Sequence, residues 1–158
     1  MALHRLACIC LPFGLNSGFL IWEPVSPPAL VLPVVVTTAL APALTEEAVF
    51  RAMLLAHPSV DGVLPGPARL AVAAALPLAV FVAYHLANPQ EQARQTFWNW
   101  RFLVMAGVLG AACTGAYHAT GGSLVAAAVT HWVPVNAWLL LLGGYRKTRG
   151  GRQRKHAP

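Results

Sequence analysis

Residues 27–51 read PPALVLPVVVTTALAPALTEEAVFR, and this stretch decides the fold. The chain contains no charged residue between Glu23 and Glu46, and three charges, those of Glu46, Glu47 and Arg51, then follow closely. An uncharged run of this length can cross the hydrocarbon core of a bilayer, which requires about 20 residues per helix. Each charge at membrane depth costs about 2.5–3.5 kcal/mol on insertion scales, so three together indicate a functional role.

The composition of the whole chain is typical of a membrane protein. It is 57% hydrophobic and 10% charged, whereas a soluble domain carries about 25% charged residues. Uncharged runs also separate Arg69 from Glu91 and Arg101 from Arg146, and the last is long enough to cross twice by turning at residues 120–123. We predict an all-α, polytopic membrane helical bundle of four to five transmembrane helices, with the polar site in its interior. The predicted spans lie near residues 27–45, 69–87, 102–118 and 123–143.

The chain divides into an N-terminal apolar segment (1–24), a membrane core (25–145) and a basic tail (146–158). Within the first segment, residues 6–22 are a weak span or an interfacial helix. A crossing there would leave Arg5 outside, which favours the interfacial alternative.

The net charge of +6 comes entirely from the tail, because the five lysines and arginines elsewhere balance the five acids. A basic segment directly after a span indicates a cytoplasmic anchor that binds anionic membrane lipid. No aromatic residue is interleaved with these cations beyond Tyr145, so nucleic acid is not an expected partner. We expect a multi-pass protein of the cell membrane with its tail and the 87–101 loop in the cytoplasm and the 56–68 loop outside.

The acidic pair has a structural and a functional interpretation. In the first, Pro42 and Thr45 start a helix with Thr45 as its N-cap. The acids then lie in the first turn, where the helix dipole favours them. In the second, Glu47 and Arg51 share a helix face at four-residue spacing and form an internal ion pair. Glu46, rotated by about 100°, then points elsewhere and is available for chemistry.

Two histidines lie in later spans. Phe81 and His85 share a helix face, and the alternative for His85 is an interfacial position beside the following loop. His131 lies deep in the final span, followed by Pro134 and Asn136, and its alternative is a hydrogen bond to a neighbouring helix. A Glu with a His can activate water, while a second His and an amide can stabilise an oxyanion. The combination predicts hydrolysis of an acyl bond.

The sequence resembles the CPBP family in three motifs that follow one another in the chain. They are EExxxR at 46–51, FxxxH at 81–85, and a late His131 with a nearby Asn. The members of this family are CAAX-protease and bacteriocin-processing intramembrane endopeptidases, also called Abi proteins. The resemblance covers roughly residues 30–143.

The resemblance implies a helical membrane protease in which Glu46 and His85 activate the attacking water. It implies that His131 forms the oxyanion hole together with an Asn or Asp four residues later. The supporting residues that it implies are Glu47, Arg51 and Phe81. The implied substrate is a membrane-associated or CAAX-like protein or peptide.

The sequence departs from the family pattern after His131. Val135 is the fourth residue beyond it and Asn136 the fifth, about 140° around a regular helix. A bulge near Pro134 would realign Asn136, which we retain as a predicted site residue. The chain is also short for the family, which leaves a homo-oligomer open.

Three alternatives to this interpretation stay open. In a metal-dependent variant Glu46, His85 and His131 bind zinc, but no HExxH motif supports it, so we expect no cofactor. A non-catalytic membrane immunity or scaffold protein would retain the polar core for helix packing. A small transporter would use Glu46 as a proton site, although its spans show no duplicated halves.

Overall fold

The computed structural model describes residues 2–26, 28–58, 66–87 and 91–149. Over these ranges the chain is all-α and contains no strand, as predicted. We number its helices α1 (Ala2–Asn16), α2 (Pro28–Met53), α3 (Pro67–Leu86), α4 (Glu91–Phe97), α5 (Trp100–Ala119), α6 (Leu124–Leu141) and α7 (Gly144–Arg149). The predicted outer loop and the basic tail lie partly outside the described residues.

Four helices, α2, α3, α5 and α6, are long and apolar enough to cross a membrane. At 1.5 Å per residue they extend over about 27–39 Å, against about 30 Å of hydrocarbon core. Their outer faces carry large apolar side chains, among them Val72 at 78% and Met53 at 77% exposed. The chain is a multi-pass membrane protein, and the four predicted spans are present. The apolar part of α1, Leu6–Asn16, is shorter than these helices.

Helix α2 differs most from the prediction. Its predicted end at residue 45 is wrong, because the helix continues to Met53 and carries the acidic pair inside the span. Ala41 interrupts it with a non-helical φ of −139° and ψ of 115°, and the next peptide bond, to Pro42, is cis. The predicted N-cap at Thr45 is also wrong. This residue lies within the helix, where its hydroxyl donates to the Pro42 carbonyl oxygen at 3.2 Å.

Helix α5 is central, since it packs against α1, α3 and α6, while α6 packs in turn against α2. The α5–α6 turn lies where residues 120–123 predicted it. Gly121 and Gly122 have φ values of 69° and 91° there, a conformation that glycine adopts without steric cost. One buried hydrophobic cluster includes Phe19, Phe50, Phe81 and Phe102.

One end of the bundle, the tail-side end, contains the end of α6, helix α7 and the segment that follows α1. This segment runs beside α6, where the Glu23 N–H donates to the Leu141 carbonyl oxygen and the Val25 N–H to that of Leu140, both at 2.8 Å. Helix α7 packs against α4 and α6. The first residues after the basic-tail boundary therefore belong to the folded bundle.

Candidate active site

The polar cluster in the bundle interior is built on α2. Glu47 is fully buried and Arg51 is 2% exposed. Arg51 Nη1 donates to Glu47 Oε1 at 3.1 Å and Nε lies 3.0 Å from Oε2, which forms the ion pair that the spacing predicted. The remaining nitrogen, Nη2, donates to the Gly110 carbonyl oxygen of α5 at 2.6 Å. Three oxygens thus surround the guanidinium, which offsets part of the cost of burying a cation.

His131 of α6 lies between the two glutamates. Its Nδ1 is 2.7 Å from Glu47 Oε1, and its Nε2 is 3.8 Å from Glu46 Oε2. Because an ionised carboxylate only accepts hydrogen bonds, Nδ1 carries a proton and Nε2 faces Glu46. Glu46 Oε2 is buried and accepts no hydrogen bond from the part of the chain that the structure describes. Glu47 Oε2 also accepts no hydrogen bond among the described residues, but it lies 3.0 Å from Arg51 Nε, and of the two carboxylates only Glu46 lines the cavity described below.

Phe81 of α3 holds both imidazoles and the buried cation together. Its ring centroid lies 5.0 Å from that of His85 and 6.0 Å from that of His131. The Arg51 guanidinium lies over the same ring, 4.9 Å from the centroid. His85 Nδ1 donates to the Phe81 carbonyl oxygen at 2.9 Å. In the neutral ring this leaves the His85 Nε2 lone pair free to accept a proton.

A cavity of about 440 Å³ reaches these side chains. Glu46, His85 and His131 all line it, so the structure brings these three predicted site residues to one space. Most other lining residues are apolar, for example Leu11 of α1 and Met105 of α5. An apolar cavity with a few convergent polar groups is typical of a binding site for an organic substrate.

The structure does not bring Asn136 to this cavity. Its Nδ2 donates to the Trp132 carbonyl oxygen at 2.9 Å, and its Oδ1 accepts from the Thr38 hydroxyl at 3.2 Å. The bulge that would realign it is absent, because α6 is one α-helix through Pro134. Asn136 therefore faces α2, whereas Thr38, which the sequence did not suggest, lines the cavity.

Gly110 is a second residue near the site that the sequence did not suggest. A Cβ added there would lie 2.7 Å from Leu78 Cδ1, 3.0 Å from Phe81 Cδ1 and 3.1 Å from Arg51 Nη2. The close approach of α5 to the ion pair therefore leaves little room for a side chain at this position. Small residues are common where membrane helices approach each other closely. An apolar span contains several small residues, so the sequence alone does not distinguish Gly110 from the others.

The described residues also contain one group of potential metal ligands near the site. The ligand atoms of Glu47, Cys113 and His131 all lie within 4.8 Å of one another. Only His131 belongs to the zinc set considered from the sequence. The group fits a metal ion poorly, because both oxygens of Glu47 lie 3.0–3.1 Å from nitrogens of Arg51, whose positive charge would repel a second cation.

Comparison of the chain with known protein families identifies the family to which it belongs. The profile of the family described as type II CAAX prenyl endopeptidase Rce1-like matches residues 28–136, well over half of the chain. The match begins with α2 and ends at Asn136, so it contains the whole polar cluster. No curated protein and no solved structure matches the chain at a significant level. The resemblance drawn from the motifs is confirmed: the chain belongs to the Rce1-like family of type II CAAX prenyl endopeptidases.

Proposed function

We propose that the protein is an intramembrane endopeptidase that hydrolyses a peptide bond of a membrane-associated, CAAX-like substrate, with water activated by Glu46 and His85. Membership of the family implies a protease. The strongest support is Glu46 Oε2, a buried carboxylate oxygen with no hydrogen-bond donor among the described residues and 3.8 Å from His131 Nε2. An unsatisfied buried oxygen is costly, and a water molecule beside it would supply the missing donor.

The contacts of His131 give it its role. Its Nδ1–H donates to Glu47, which leaves Nε2 directed towards Glu46 and the cavity. With a proton on Nε2, the ring donates a hydrogen bond to an oxyanion that forms beside Glu46.

The reaction follows from these positions. Water attacks the scissile carbonyl carbon, and its proton passes to Glu46 or to Nε2 of His85. The carbonyl electron pair moves onto oxygen, and the oxyanion accepts the Nε2–H of His131. When the carbon–nitrogen bond breaks, the proton passes to the leaving amine. The products are a new carboxyl terminus and a free amine, and both bases return to their first state.

The test compares the wild type with Glu46→Gln and with the matched control Glu23→Gln, whose carboxylate lies at the tail-side end. Each purified protein is incubated in detergent with a membrane-peptide library in ¹⁸O-water, and products are read by mass spectrometry. We expect the rate for Glu46→Gln to fall by about 10²- to 10⁴-fold, the usual contribution of a general base. Glu23→Gln should retain wild-type activity, and hydrolysis should place one ¹⁸O in the new carboxyl terminus.

Two outcomes separate this proposal from its alternatives. A folded wild type that yields no Glu46-dependent product from any peptide would support the non-catalytic scaffold instead. Activity that a chelator abolishes and zinc restores would support the metal-dependent variant. Full activity with chelator present would agree with a water molecule activated by side chains alone.

A further inference from the structure

Helix α2 is interrupted on the wall of the cavity that reaches Glu46. Ala41 has a φ of −139° and a ψ of 115°, which is a β-strand conformation inside an otherwise helical span. Ala41 and Pro42 line the cavity together with Glu46 of the same helix. Non-helical backbone at membrane depth is tolerated only where it is buried in protein or lines a cavity. In this chain it lines the cavity of the candidate active site.

The interruption removes the α-helical partner of the Ala41 carbonyl oxygen. In a regular α-helix this oxygen would accept from the N–H of residue 45, four positions later. The Thr45 N–H instead donates to the carbonyl oxygens of Leu40 and Pro42. Pro42 itself has no N–H, so it cannot donate to the Thr38 carbonyl oxygen as an α-helix would require. The Ala41 carbonyl oxygen therefore depends on a donor that the α-helical pattern does not provide.

A β-conformation on the wall of an apolar cavity matches one kind of ligand, an extended peptide backbone. The N–H groups of an extended peptide donate to the carbonyl oxygens of a strand-like segment, as they do when a peptide adds to a sheet edge. A peptide N–H that is buried among apolar side chains without an acceptor is costly. A backbone carbonyl oxygen beside the cavity would reduce this cost, whereas an apolar ligand has no N–H to donate.

The spacing between Ala41 and Glu46 sets the register of such a peptide. Residues 42–46 rise by about 7.5 Å if each contributes 1.5 Å along the helix. An extended peptide covers about 3.3 Å per residue, so this rise equals about two residues of substrate. A peptide that is cut beside Glu46 therefore places the N–H of a residue about two positions from the scissile bond near the Ala41 carbonyl oxygen.

We propose that the Ala41 carbonyl oxygen accepts a hydrogen bond from a backbone N–H of an extended peptide substrate, about two residues from the scissile bond. This inference rests on the proposed endopeptidase function and names the form in which the substrate binds. Ala41 contacts the substrate backbone and not the reacting atoms, so it positions the peptide whatever its side chains are. A helical segment, whose N–H groups are bonded internally, must unwind before it can bind in this way.

The first experiment replaces one substrate amide at a time by an ester, which removes a single N–H. The probe is the fluorescein-labelled library peptide that Glu46→Gln binds most tightly, so affinity is measured by anisotropy without cleavage. We expect one ester to weaken binding by about 2- to 10-fold, as the loss of one hydrogen bond would. Neighbouring esters should have little effect, because alternate residues of an extended chain direct their N–H groups to opposite edges. Cleavage of the parent peptide by the wild type should place the scissile bond about two residues from the sensitive ester.

The second experiment closes the interruption in the enzyme. Pro42→Ala restores an N–H that can donate to the Thr38 carbonyl oxygen, so that the α-helix can continue through residue 42. Pro33→Ala is the matched control, since Pro33 lies in α2 but does not line the cavity. Both changes are made in the Glu46→Gln protein, and hydrogen exchange over residues 38–46 reports whether the interruption has closed. Once it has closed, the sensitive ester and the parent amide should bind equally, whereas Pro33→Ala should retain the full difference.

Several results would overturn this inference. If no ester weakened binding, the Ala41 carbonyl oxygen would have no substrate partner, and equal losses at every position would exclude a single acceptor. A sensitive ester that persists after exchange shows closure would place the acceptor elsewhere, and so would its loss while the interruption stays open. Failure of the protease proposal gives a different result. One sensitive ester without Glu46-dependent cleavage would indicate a peptide-binding site in a non-catalytic protein.

Discussion

Glu47–Arg51 and Glu23–Arg146 are both carboxylate–guanidinium pairs, but they occupy opposite environments. Glu47–Arg51, the deep pair, joins residues four apart on α2, with side chains 0% and 2% exposed and a closest separation of 3.0 Å. Glu23–Arg146, the tail-side pair, joins residues far apart in sequence, with side chains 37% and 57% exposed. Its closest separation is nevertheless shorter, at 2.7 Å.

The distance between the charged atoms alone does not determine how much each pair contributes to stability. Water solvates both partners at the tail-side end and screens their attraction, so an exposed pair contributes about 0–1 kcal/mol. In the bundle interior Glu47 and Arg51 are almost completely buried, so removing one side leaves an uncompensated charge. The deep pair also orients His131 through Glu47, so its loss affects chemistry as well as folding.

Arg51→Met tests the deep pair and should give the largest effect on stability. It leaves the Glu47 carboxylate buried without its cation, so the free energy of unfolding should fall by about 3–5 kcal/mol. The measurement is reversible unfolding in mixed detergent micelles. The double variant Glu47→Gln with Arg51→Met should be more stable than Arg51→Met alone, because it removes the stranded charge. A double variant that is no more stable would mean that lost packing on Phe81, and not the charge, causes the effect.

Glu47→Gln tests whether the deep pair also positions His131. A glutamine keeps the size of the side chain but removes the carboxylate that holds Nδ1–H, so we expect kcat to fall by about 10²-fold, as when a reacting group is misplaced. KM should change little, because Glu47 does not line the cavity that would hold the substrate. Glu23→Gln on the tail-side pair serves as the control and should leave kcat unchanged. A loss of folded protein that accounts for the whole fall in kcat would indicate structural damage only.

Much of the fold could be predicted because a bilayer imposes simple rules. Long uncharged runs located the spans, and the glycines at residues 121 and 122 located the turn between α5 and α6. The Glu47–Arg51 pair could be predicted because a four-residue spacing on one helix fixes a contact without any knowledge of the other helices.

The remaining features depend on contacts between helices. The prediction ended the first span at residue 45, since charges usually mark span ends, whereas Arg51 and His131 compensate the acids within the span. The sequence could not indicate that Nδ1 of His131 contacts Glu47, because helix rotation is set by packing. The same limit applies to Gly110, whose carbonyl oxygen completes the guanidinium site.

Gly110→Ala tests the packing that surrounds the deep pair. The added methyl group would lie 2.7 Å from Leu78 Cδ1 and 3.0–3.1 Å from atoms of Phe81 and Arg51, so these side chains must shift, and such overpacking costs about 1–3 kcal/mol. Gly115→Ala is the matched control on the same helix, because an added Cβ there meets no atom within 4 Å. Unfolding of both variants is compared in the same detergent. Equal stability of the two variants would mean that α5 can move away from Arg51 at little cost.

Arg146→Gln tests the tail-side pair and should give the smallest effect. Both of its side chains are partly solvated, so the free energy of unfolding should change by about 0–1 kcal/mol. The difference from the wild type should shrink in 1 M salt, where the Debye length falls to about 3 Å. The measurement repeats the unfolding experiment at low and high salt. A salt-independent loss close to that of Arg51→Met would contradict the comparison, because it would require the Glu23 carboxylate to be as poorly solvated as that of Glu47.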